Sequence, residues 1–367
     1  MDFSGFDHEC MSLALKLAEK GLYTTHPNPR VGCVIADSHR VLGQGWHEAA
    51  GREHAEVGAL GQAGDAARGA TAYVSLEPCS HEGRTGACAN ALVKAGIARV
   101  VAAVSDPNPE VSGKGFERLR QAGVRVEMGL LESQARALNA GFFSRMLRGR
   151  PWLRVKAAQS LDGRTALHNG ESRWISSEQS RRDVQHWRAR SDAILTGIGT
   201  VRADNPRMTV RRPDNIRQPL RVIVDSKFSI DTGSRILESP GEALVVGLAP
   251  GPELDRLSRA GVECLAVGGH DEATGVDLNA LLGALAERQI NEVQVEAGST
   301  LCGALLTGGL VDEILLYQAP LLLGVDAAPA FSFGPLDSMA QGLHLEIREI
   351  VRIGPDLRMR LIPETNA

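Results

Sequence analysis

Short apolar runs of strand length alternate with amphipathic segments of helix length along this chain, and the alternation stops once, near Gly149 and Pro151. Strands alternating with helices predict an α/β fold, in which helices cover both faces of a mostly parallel sheet. A chain of 367 residues is longer than one ordinary core accommodates. We therefore interpret the interruption as a boundary, and the sequence predicts two α/β domains, over 1–147 and 152–367.

Each half has its own set of predicted elements, and no repeat relates the two. In the first half we predict strands at 31–36, 41–46, 71–76, 99–104 and 124–128, and helices at 8–20, 54–63, 113–121 and 130–147. In the second half we predict strands at 153–159, 192–197, 221–226, 243–248, 263–267, 292–297 and 313–320, and helices at 177–190, 278–288 and 299–308. Alternating residues on both sides of Gly354-Pro355 predict a β-hairpin near the end.

Composition excludes several classes of protein. Hydrophobic residues make up 43% of the chain and charged residues 23%, as in a soluble globular protein. The net charge of -4 argues against nucleic-acid binding by bulk electrostatics. No apolar stretch approaches the roughly 18 residues of a membrane span, and the acidic N-terminus does not resemble a signal peptide. We expect a cytoplasmic protein, in which the six cysteines are reduced thiols or metal ligands.

Four residues of the first half form a candidate metal site. His54 and Glu56 stand two apart at the start of a predicted helix, while Cys79 follows a strand and Pro78, nine residues before Cys88. One histidine and two cysteines suit a tetrahedral Zn²⁺ with a fourth position left for water. In zinc deaminases, H-x-E is followed by P-C-x-x-C, and the glutamate moves protons without binding the metal. The alternative is a solvated helix start and two core cysteines.

The neighbourhood of these residues adds further expectations. Cys79 falls where a helix could begin, and free N–H groups there would help to hold a thiolate. Asn28 stands between two prolines and is either a polar contact for a ligand or part of an ordinary turn. His47 and Glu53 could line the same pocket. His81 is a rival ligand by composition, but we assign it to the loop or to the substrate side.

Three stretches of the first half carry a resemblance to a known family: HPNPRVGCVI (26–35), GWHEAAGREHAE (45–56) and EPCSHEGRTGAC (77–88). Together they resemble the deaminase domain of the bifunctional riboflavin-biosynthesis deaminase/reductases, which has the cytidine-deaminase-like α/β/α fold. The resemblance covers roughly the first 145 residues. It implies that His54, Cys79 and Cys88 bind zinc and that Glu56 is the proton shuttle, with Asn28 on the substrate. One departure is Gly86-Ala87, where prolines are usual in the family.

The second half contains no G-x-G-x-x-G after its first strand, so the usual dinucleotide fingerprint is absent. Two other glycine turns follow predicted strands, one within 295–306 and one within 196–206. The first leads into a helix N-terminus, whose bare N–H groups could bind a phosphate. Such turns are common in α/β proteins, so each alone is more often structural than ligand-binding.

Together with KAAQSLDGR (156–164), GESRWIS (170–176) and VDS (224–226), these turns resemble the reductase domain of the same family. That domain has a dihydrofolate-reductase-like α/β fold and takes hydride from NADPH. The resemblance runs from about 152 to the end. It implies substrate contacts at Ser172, Arg188, Met208, Arg211 and Glu296. It also implies cofactor contacts at Ala158, Trp174, Thr200, Asp204, Ser226, Gly298, Ser299, Thr300, Leu301, Cys302, Gly303 and Ala304.

The residue types agree with these assignments, although alternatives stay open. Arg188 and Arg211 suit a 5′-phosphate, which guanidinium groups bind bidentately, while Arg188 could equally lie on a solvated helix face. Glu296 can accept hydrogen bonds from sugar hydroxyls or a ring N–H. Trp174 could belong to the core. Lys156 and Asp162 are plausible pocket residues to which spacing gives no role.

The function expected from the resemblance is a two-step one. Deamination of 2,5-diamino-6-ribosylamino-4(3H)-pyrimidinone 5′-phosphate is followed by NADPH-dependent reduction of its ribosyl group to ribityl. The expected ligands are this phosphorylated pyrimidine, Zn²⁺ and NADPH, with no nucleic acid or membrane partner, and a homo-oligomer is compatible with the sequence. The alternative is a nucleic-acid base deaminase whose second half is a binding module, but the chain lacks the basic, aromatic stripe this requires.

Overall fold

The computed structural model describes residues 3–80, 86–212, 217–269 and 275–364. The chain divides into two compact units, Met1–Gly149 and Arg150–Ala367. Among the described residues, none of the helices combines the length and the apolar character needed to cross a membrane.

A five-stranded sheet forms the middle of the first unit. Its strands are β1 (Gly32–Ala36), β2 (Val41–Trp46), β3 (Thr71–Val74), β4 (Arg99–Ala102) and β5 (Arg125–Met128). They lie in the order β2-β1-β3-β4-β5. β1 is antiparallel to both of its neighbours, whereas β3, β4 and β5 are parallel. All five predicted strands of this half are therefore present.

Helices cover both faces of this sheet. They are α1 (Gly5–Glu19), α2 (Ala55–Ala63), α3 (Cys88–Lys94), α4 (Lys114–Gln121), α5 (Glu132–Leu138) and α6 (Ala140–Arg148). Successive residues of β1 face opposite cores: Val34 packs with α1, α5 and α6, and Ile35 packs with α2, α3 and α4. A strand with both faces buried has a continuous apolar sequence, as β1 has. The unit is an α/β/α sandwich.

The helix predicted at 130–147 is in fact two helices, because Asn139 interrupts it. The Asn139 side chain accepts a hydrogen bond from the Arg30 backbone N–H (2.8 Å) and donates one to the Arg30 carbonyl (2.9 Å). Its backbone leaves the helical region at φ -110° and ψ 23°. This long-range pairing was not visible in the helical pattern. Helix α3, only seven residues long, was not predicted either.

The second unit is built on a nine-stranded sheet. Its strands are β6 (Trp152–Gln159), β8 (Ala193–Gly197), β9 (Leu220–Val224), β10 (Ala243–Gly247), β11 (Glu263–Ala266), β12 (Glu292–Val295), β13 (Glu313–Gln318), β15 (Leu345–Ile353) and β16 (Asp356–Pro363). They lie in the order β11-β10-β9-β8-β12-β6-β13-β16-β15. A separate small sheet pairs β7 (Arg164–Ala166) with β14 (Ala328–Pro329). From β11 to β13 neighbouring strands are parallel, and β15 and β16 form the predicted antiparallel hairpin.

The helices of the second unit lie on its two faces. They are α7 (Glu178–Arg190), α8 (Ile198–Asp204), α9 (Arg235–Glu238), α10 (Pro252–Arg259), α11 (Leu278–Glu287) and α12 (Ser299–Thr307). The main core joins the sheet to α11 and α12, and a second core joins it to α9 and α10. The three predicted helices are present. Helices α8, α9 and α10 and the two strands of the small sheet were not predicted, since short elements carry little periodicity.

Buried charges lie on the sheet beside α7. Arg154 of β6 is 1% exposed and pairs with Glu313 (2.8 Å) and Glu292 (3.1 Å), which belong to the two neighbouring strands. The Trp187 ring of α7 covers the Arg154 guanidinium at 4.7 Å. Burial alone would raise the pKa of Glu313, but Arg154 and Arg360 outweigh it and lower that pKa to about 2. The pairing therefore stabilises the ionised form in the folded state.

Because of the ion pair between Arg154 and Glu313, we expect acid to lower the stability of the second unit. Because the folded pKa of Glu313 lies below its usual 4.5, the stabilisation is complete above about pH 4.5 and is lost as the pH falls towards 2. Glu313→Gln should cost about 3–5 kcal/mol at pH 7, since Arg154 stays buried with one partner fewer. The measurement is urea unfolding followed by circular dichroism between pH 3 and 7. The control Glu346→Gln removes an exposed pair with Arg348 and should cost less than about 1 kcal/mol. Equal effects of the two substitutions would contradict the prediction.

Candidate active sites

The first site lies where α2 begins and where the chain leaves β3. Two close approaches bring α2 onto the sheet: a Cβ at Gly45 would lie 2.3 Å from the Ala55 carbonyl oxygen, and one at Gly43 would lie 2.2 Å from that of Ala59. Only glycine permits such contact between strand and helix backbones. As a result, His54, the N-cap residue of α2, is held near the carboxyl end of β3, which Cys79 follows.

The three predicted ligand residues converge. The His54 Nδ1 atom lies 3.1 Å from the Cys88 Sγ and 3.6 Å from the Cys79 Sγ, and all three ligand atoms lie within 4.8 Å of one another. In a tetrahedral zinc site, bond lengths of about 2.0 to 2.3 Å place ligand atoms roughly 3.5–3.8 Å apart. The donor set and its spacing therefore fit one zinc ion, with His54 binding through Nδ1.

The expected helix at Cys79 is absent, and the N–H donor comes from elsewhere. Residues 77–80 have no regular structure, and the next helix in the described part of the chain, α3, begins at Cys88. The Cys88 backbone N–H points to the Cys79 Sγ at 3.4 Å. The interactions with Cys88 and His54 lower the pKa of Cys79. The contact with Cys79, together with burial, raises the pKa of Cys88.

Glu56 is buried at the metal site and does not lie on a solvated helix face. It is 3% exposed and follows His54 by two residues in the first turn of α2. Burial, with the negative charge of Cys79, raises the pKa of Glu56 to about 7. Cys79, His54 and Cys88 all influence the pKa of its carboxyl group. The group is thus next to the ligands without belonging to the convergent set.

Asn28 and His47 join the same site. The Glu53 carbonyl oxygen lies 3.1 Å from the His47 Nδ1, so this nitrogen carries the proton and the His47 Nε2 accepts from the Asn28 side-chain N–H at 3.1 Å. The His47 ring packs edge-on against the His54 ring, with centroids 5.6 Å apart. The Glu53 side chain itself is exposed. His81 lies outside the described residues.

The second site is a cavity of roughly 490 Å³ in the other unit. It opens where β6, β8 and β12 end and where α8 and α12 begin. Of the residues that the resemblance indicates, those that line it are Ala158, Ser172, Trp174, Arg188, Thr200, Asp204, Met208, Arg211, Glu296, Gly298, Ser299 and Cys302. Segments far apart in sequence thus meet around one space.

Glu296 and Arg188 form an ion pair at the wall of the cavity. The Arg188 Nε and Nη2 atoms donate to the two carboxylate oxygens at 2.6 and 2.8 Å, and Gln294 donates to the Glu296 Oε1 at 2.7 Å. Burial alone would raise the pKa of Glu296, but Arg188 outweighs it and lowers that pKa to about 2. The Arg188 side chain is 12% exposed. The alternative of a solvated helix face is therefore wrong for Arg188.

Arg211 differs from Arg188 because no described carboxylate pairs with it. Burial and the positive charge of Arg188 lower its pKa, and Arg207 and Arg235 add to this effect. Arg207 and Arg235 also line the cavity. The three guanidinium groups give this part of the wall a positive charge that a phosphate would neutralise.

Trp174 lies at the mouth of the cavity. Its side chain is 68% exposed, so the alternative that it belongs to the core is wrong. The Arg181 guanidinium lies 4.2 Å from the centre of its ring. Beside it, the Arg173 Nη2 donates to the Asp204 carbonyl at 3.1 Å. An exposed aromatic ring of this kind presents a face on which a planar ligand can stack.

The remaining residues that the resemblance indicates as cofactor contacts lie outside the cavity wall. Leu301 packs against the hydrophobic core, and Ala304 is exposed. A Cβ at Gly303 would lie 1.7 Å from the Ser332 carbonyl oxygen, so this glycine is required for contact with the chain at 332. Ser226 follows β9, where its carbonyl accepts from the Leu248 N–H, and Thr300 lies in the first turn of α12.

Lys156 and Asp162, to which the sequence assigns no role, have defined places in the structure. Lys156 lines the cavity and lies opposite Leu315 of the neighbouring strand β13, and burial lowers its pKa. The signal was the alternation of Arg154 and Lys156 with apolar residues in a central strand, where both faces should be apolar. Asp162 instead accepts hydrogen bonds from the backbone N–H groups of residues 323 and 324 and holds that loop.

Each of the two units matches a known protein family. Residues 4–104 match the family model of the cytidine and deoxycytidylate deaminase zinc-binding region, and residues 151–359 match that of the RibD C-terminal domain. The riboflavin biosynthesis protein RibD of Escherichia coli is 47% identical over 97% of this chain and 99% of its own.

Two solved structures cover 98% of this chain and 99% of their own. One is RibD of Acinetobacter baumannii (45% identity, TM-score 0.90), and the other is a diaminohydroxyphosphoribosylaminopyrimidine deaminase/5-amino-6-(5-phosphoribosylamino)uracil reductase of Thermotoga maritima (31% identity, TM-score 0.85).

The fold and the sites define an enzyme that joins a cytidine-deaminase-like zinc domain to a dihydrofolate-reductase-like domain in one chain. The chain belongs to the RibD family, the bifunctional deaminase/reductases of riboflavin biosynthesis. Zinc and NADPH are the cofactors of these two domains.

The convergent ligand set predicts about one tightly bound zinc per chain. Cys88→Ser should lose both the metal and the deaminase activity, because serine is a poor zinc ligand and two protein ligands remain. Elemental analysis of purified protein measures the first effect and an ammonia assay the second. Cys264→Ser, a cysteine of β11 in the other unit, is the control and should keep both. Active protein without zinc would contradict the prediction.

Proposed function

We propose that this chain deaminates 2,5-diamino-6-ribosylamino-4(3H)-pyrimidinone 5′-phosphate and then reduces the ribosyl group of the product to ribityl with NADPH. The Thermotoga maritima relative is described by these two reactions. The observation that carries the proposal for this chain is the convergence of His54, Cys79 and Cys88, with the buried Glu56 beside them. A deaminase needs a metal site and a proton carrier in contact.

In the deaminase domain, over 1–147, we assign zinc binding to His54, Cys79 and Cys88. Bound zinc supplies a polarised water as the nucleophile. Glu56 is assigned the proton transfers: its carboxyl group takes a proton from the water and delivers it to the departing amino group, which leaves as ammonia. Its position two residues from His54 and its burial support this role.

Substrate orientation in the same domain is assigned to Asn28. His47 accepts a hydrogen bond from the Asn28 amide N–H, and this contact fixes which way the amide faces. The Asn28 carbonyl oxygen is then available to accept a hydrogen bond from an amino group or ring N–H of a pyrimidine. His47 is neutral in this arrangement, since burial lowers its pKa.

In the reductase domain, over 152–367, we assign the contacts with the sugar and base of the substrate to Glu296. We assign the contact with its 5′-phosphate to Arg211. Arg188 already donates two hydrogen bonds to Glu296, so its role is to hold that carboxylate ionised and in place. Arg211 has no such partner among the described carboxylates. Ser172 and Met208 complete the substrate contacts proposed here, and both line the same cavity.

The cofactor is assigned to the N-terminus of α12 and to the residues facing it. Gly298 is the N-cap of α12, and the bare N–H groups that follow it suit a phosphate. Thr200, at the start of α8, lies opposite. Ala158, Trp174 and Asp204 line the same space. Contacts at Ser226, Thr300, Leu301, Gly303 and Ala304, a homo-oligomer and the cytoplasmic location stay predictions from the sequence.

Replacing the proposed proton carrier tests the deaminase assignment. Glu56→Gln keeps the size of the side chain but cannot move a proton, so deamination should fall at least about a hundredfold. Zinc content should be unchanged, and so should reduction of substrate that has already been deaminated. The release of ammonia measures deamination, and elemental analysis measures the zinc content. Glu53→Gln, the same change at an exposed position three residues away, should leave all three unaltered, and near-normal deamination by Glu56→Gln would refute the role.

A side chain at Gly298 tests the cofactor assignment. Apart from its neighbours in the chain, the one described atom within 4 Å of a Cβ there is the Thr200 Oγ1, at 3.9 Å. Gly298→Val should therefore fold and yet project into the cofactor space. We expect the Michaelis constant for NADPH to rise on the order of tenfold or more, the equivalent of about 1.4 kcal/mol. Titration followed by nicotinamide fluorescence measures affinity directly. Gly283→Val in α11, where a Cβ also has free space, is the control. If Gly298→Val had an unchanged affinity for NADPH, the cofactor would instead be assigned to the residues that follow β8.

A further inference from the structure

Glu77 is buried beside the proposed zinc site and has no part in the chemistry described above. Its side chain is 3% exposed, and it precedes Cys79 by two residues. Its carboxylate accepts four backbone hydrogen bonds. The Oε2 atom accepts from the N–H groups of Asp106 (3.2 Å) and Gly113 (3.0 Å), and the Oε1 atom accepts from those of Gly115 (3.0 Å) and Phe116 (3.3 Å).

Three of these donors belong to the beginning of α4. Gly113 is the N-cap of this helix, and Gly115 and Phe116 lie in its first turn. The first N–H groups of a helix have no partner within the helix, and a carboxylate is a favourable one there. Capping groups usually come from the N-cap residue itself, but here the N-cap is a glycine. Glu77 supplies the cap from the chain that leads to Cys79.

A second contact joins the same two segments. A Cβ at Gly115 would lie 1.9 Å from the Pro78 carbonyl oxygen, so the backbone of α4 touches the residue directly before Cys79. Only glycine at 115 permits this approach. The Glu77 N–H also donates to the Val104 carbonyl, and the Cys79 carbonyl accepts from the Ala89 N–H. Residues 77–79, which have no regular structure, are thereby fixed at both ends.

Helix α4 also holds the element that carries the other cysteine. The Arg118 Nε donates to the Asn90 Oδ1 at 2.9 Å, and Asn90 lies in α3, two residues after Cys88. One helix therefore contacts both cysteine-bearing segments. A metal site whose ligands are held in place before the metal binds loses less conformational freedom on binding than a mobile one does.

We propose that Glu77 is a positioning residue of the zinc site, which fixes the Cys79 segment on α4 and thereby raises the affinity for the metal. The inference rests on the proposed zinc site. The negative charge and the four acceptor positions of the carboxylate are both required. A glutamine would offer one acceptor oxygen, and its NH₂ group would face N–H donors.

The test measures metal binding in the full-length chain. Glu77→Gln should weaken zinc binding about 10- to 100-fold in competition with a chromophoric chelator, the usual range for residues that orient ligands. The absorption of bound cobalt(II) should also change in its sulfur-to-metal band, because the Cys79 Sγ is no longer fixed. A Cβ in Gly115→Ala would lie 1.9 Å from the Pro78 carbonyl oxygen and 3.2 Å from the Glu77 Oε1. This variant keeps the charge of Glu77 and all the metal ligands, and it should shift both readouts in the same direction. Reductase activity of the same samples should be unchanged.

A matched control separates positioning from general loss of stability. Asp7 is another buried carboxylate of this unit that accepts four hydrogen bonds: two from Ser4, one from the Tyr73 hydroxyl (2.7 Å) and one from Arg99 (2.6 Å). Arg99 begins β4, at the opposite end of the sheet from Cys79. Asp7→Asn should lower the melting temperature while zinc affinity stays within about twofold of the parent.

Two outcomes would overturn the proposal. One is a Glu77→Gln protein with a lowered melting temperature but unaltered zinc affinity and cobalt spectrum, which would make Glu77 a helix cap alone. The other is equal loss of zinc affinity in Asp7→Asn. Failure of the zinc site itself would look different, since Cys88→Ser would then retain the metal.

Discussion

The two sheets restrict chemistry to the ends of their strands. Parallel strands covered by helices on both faces have no solvated side, so polar side chains that must meet a ligand lie where the strands stop. Cys79 follows β3, Glu296 follows β12, and Thr200 follows β8. Helices begin close to these points: His54 precedes α2 and Gly298 precedes α12. The same constraint therefore produces two unrelated sites, one with metal ligands and one with a cavity.

Much of the metal site could be predicted from spacing, because its ligands are few and chemically distinctive. His54, Cys79 and Cys88 converge as expected. The local structure around Cys79 was predicted wrongly, since the helix that donates an N–H to its sulfur begins at Cys88. A seven-residue helix after a glycine loop leaves too little periodicity to be recognised. Spacing can indicate which residues meet, whereas the backbone that brings them together depends on contacts distant in sequence.

The reductase site illustrates the opposite case, in which residue types were informative and pairings were not. Arg188 and Arg211 both suit a phosphate by chemistry, but only the structure shows that Arg188 is already bound to Glu296. Arg188 and Glu296 are 108 residues apart, and no pattern in the sequence indicates that they pair. The same holds for Asn139, whose side chain pairs with the Arg30 backbone and divides a helix that the periodicity predicted as one.

Three buried glutamates show how the partner of a carboxyl group decides its use. Glu313 and Glu296 have guanidinium partners that lower their pKa and keep them ionised. Glu56 has no guanidinium partner among the described residues, and burial raises its pKa to about 7. A carboxyl group that exchanges its proton near neutral pH is suited to proton transfer, whereas one held ionised is suited to accepting hydrogen bonds or balancing charge. The sequence shows the same residue type in each case, and the environment, which only the fold provides, determines what each glutamate can do.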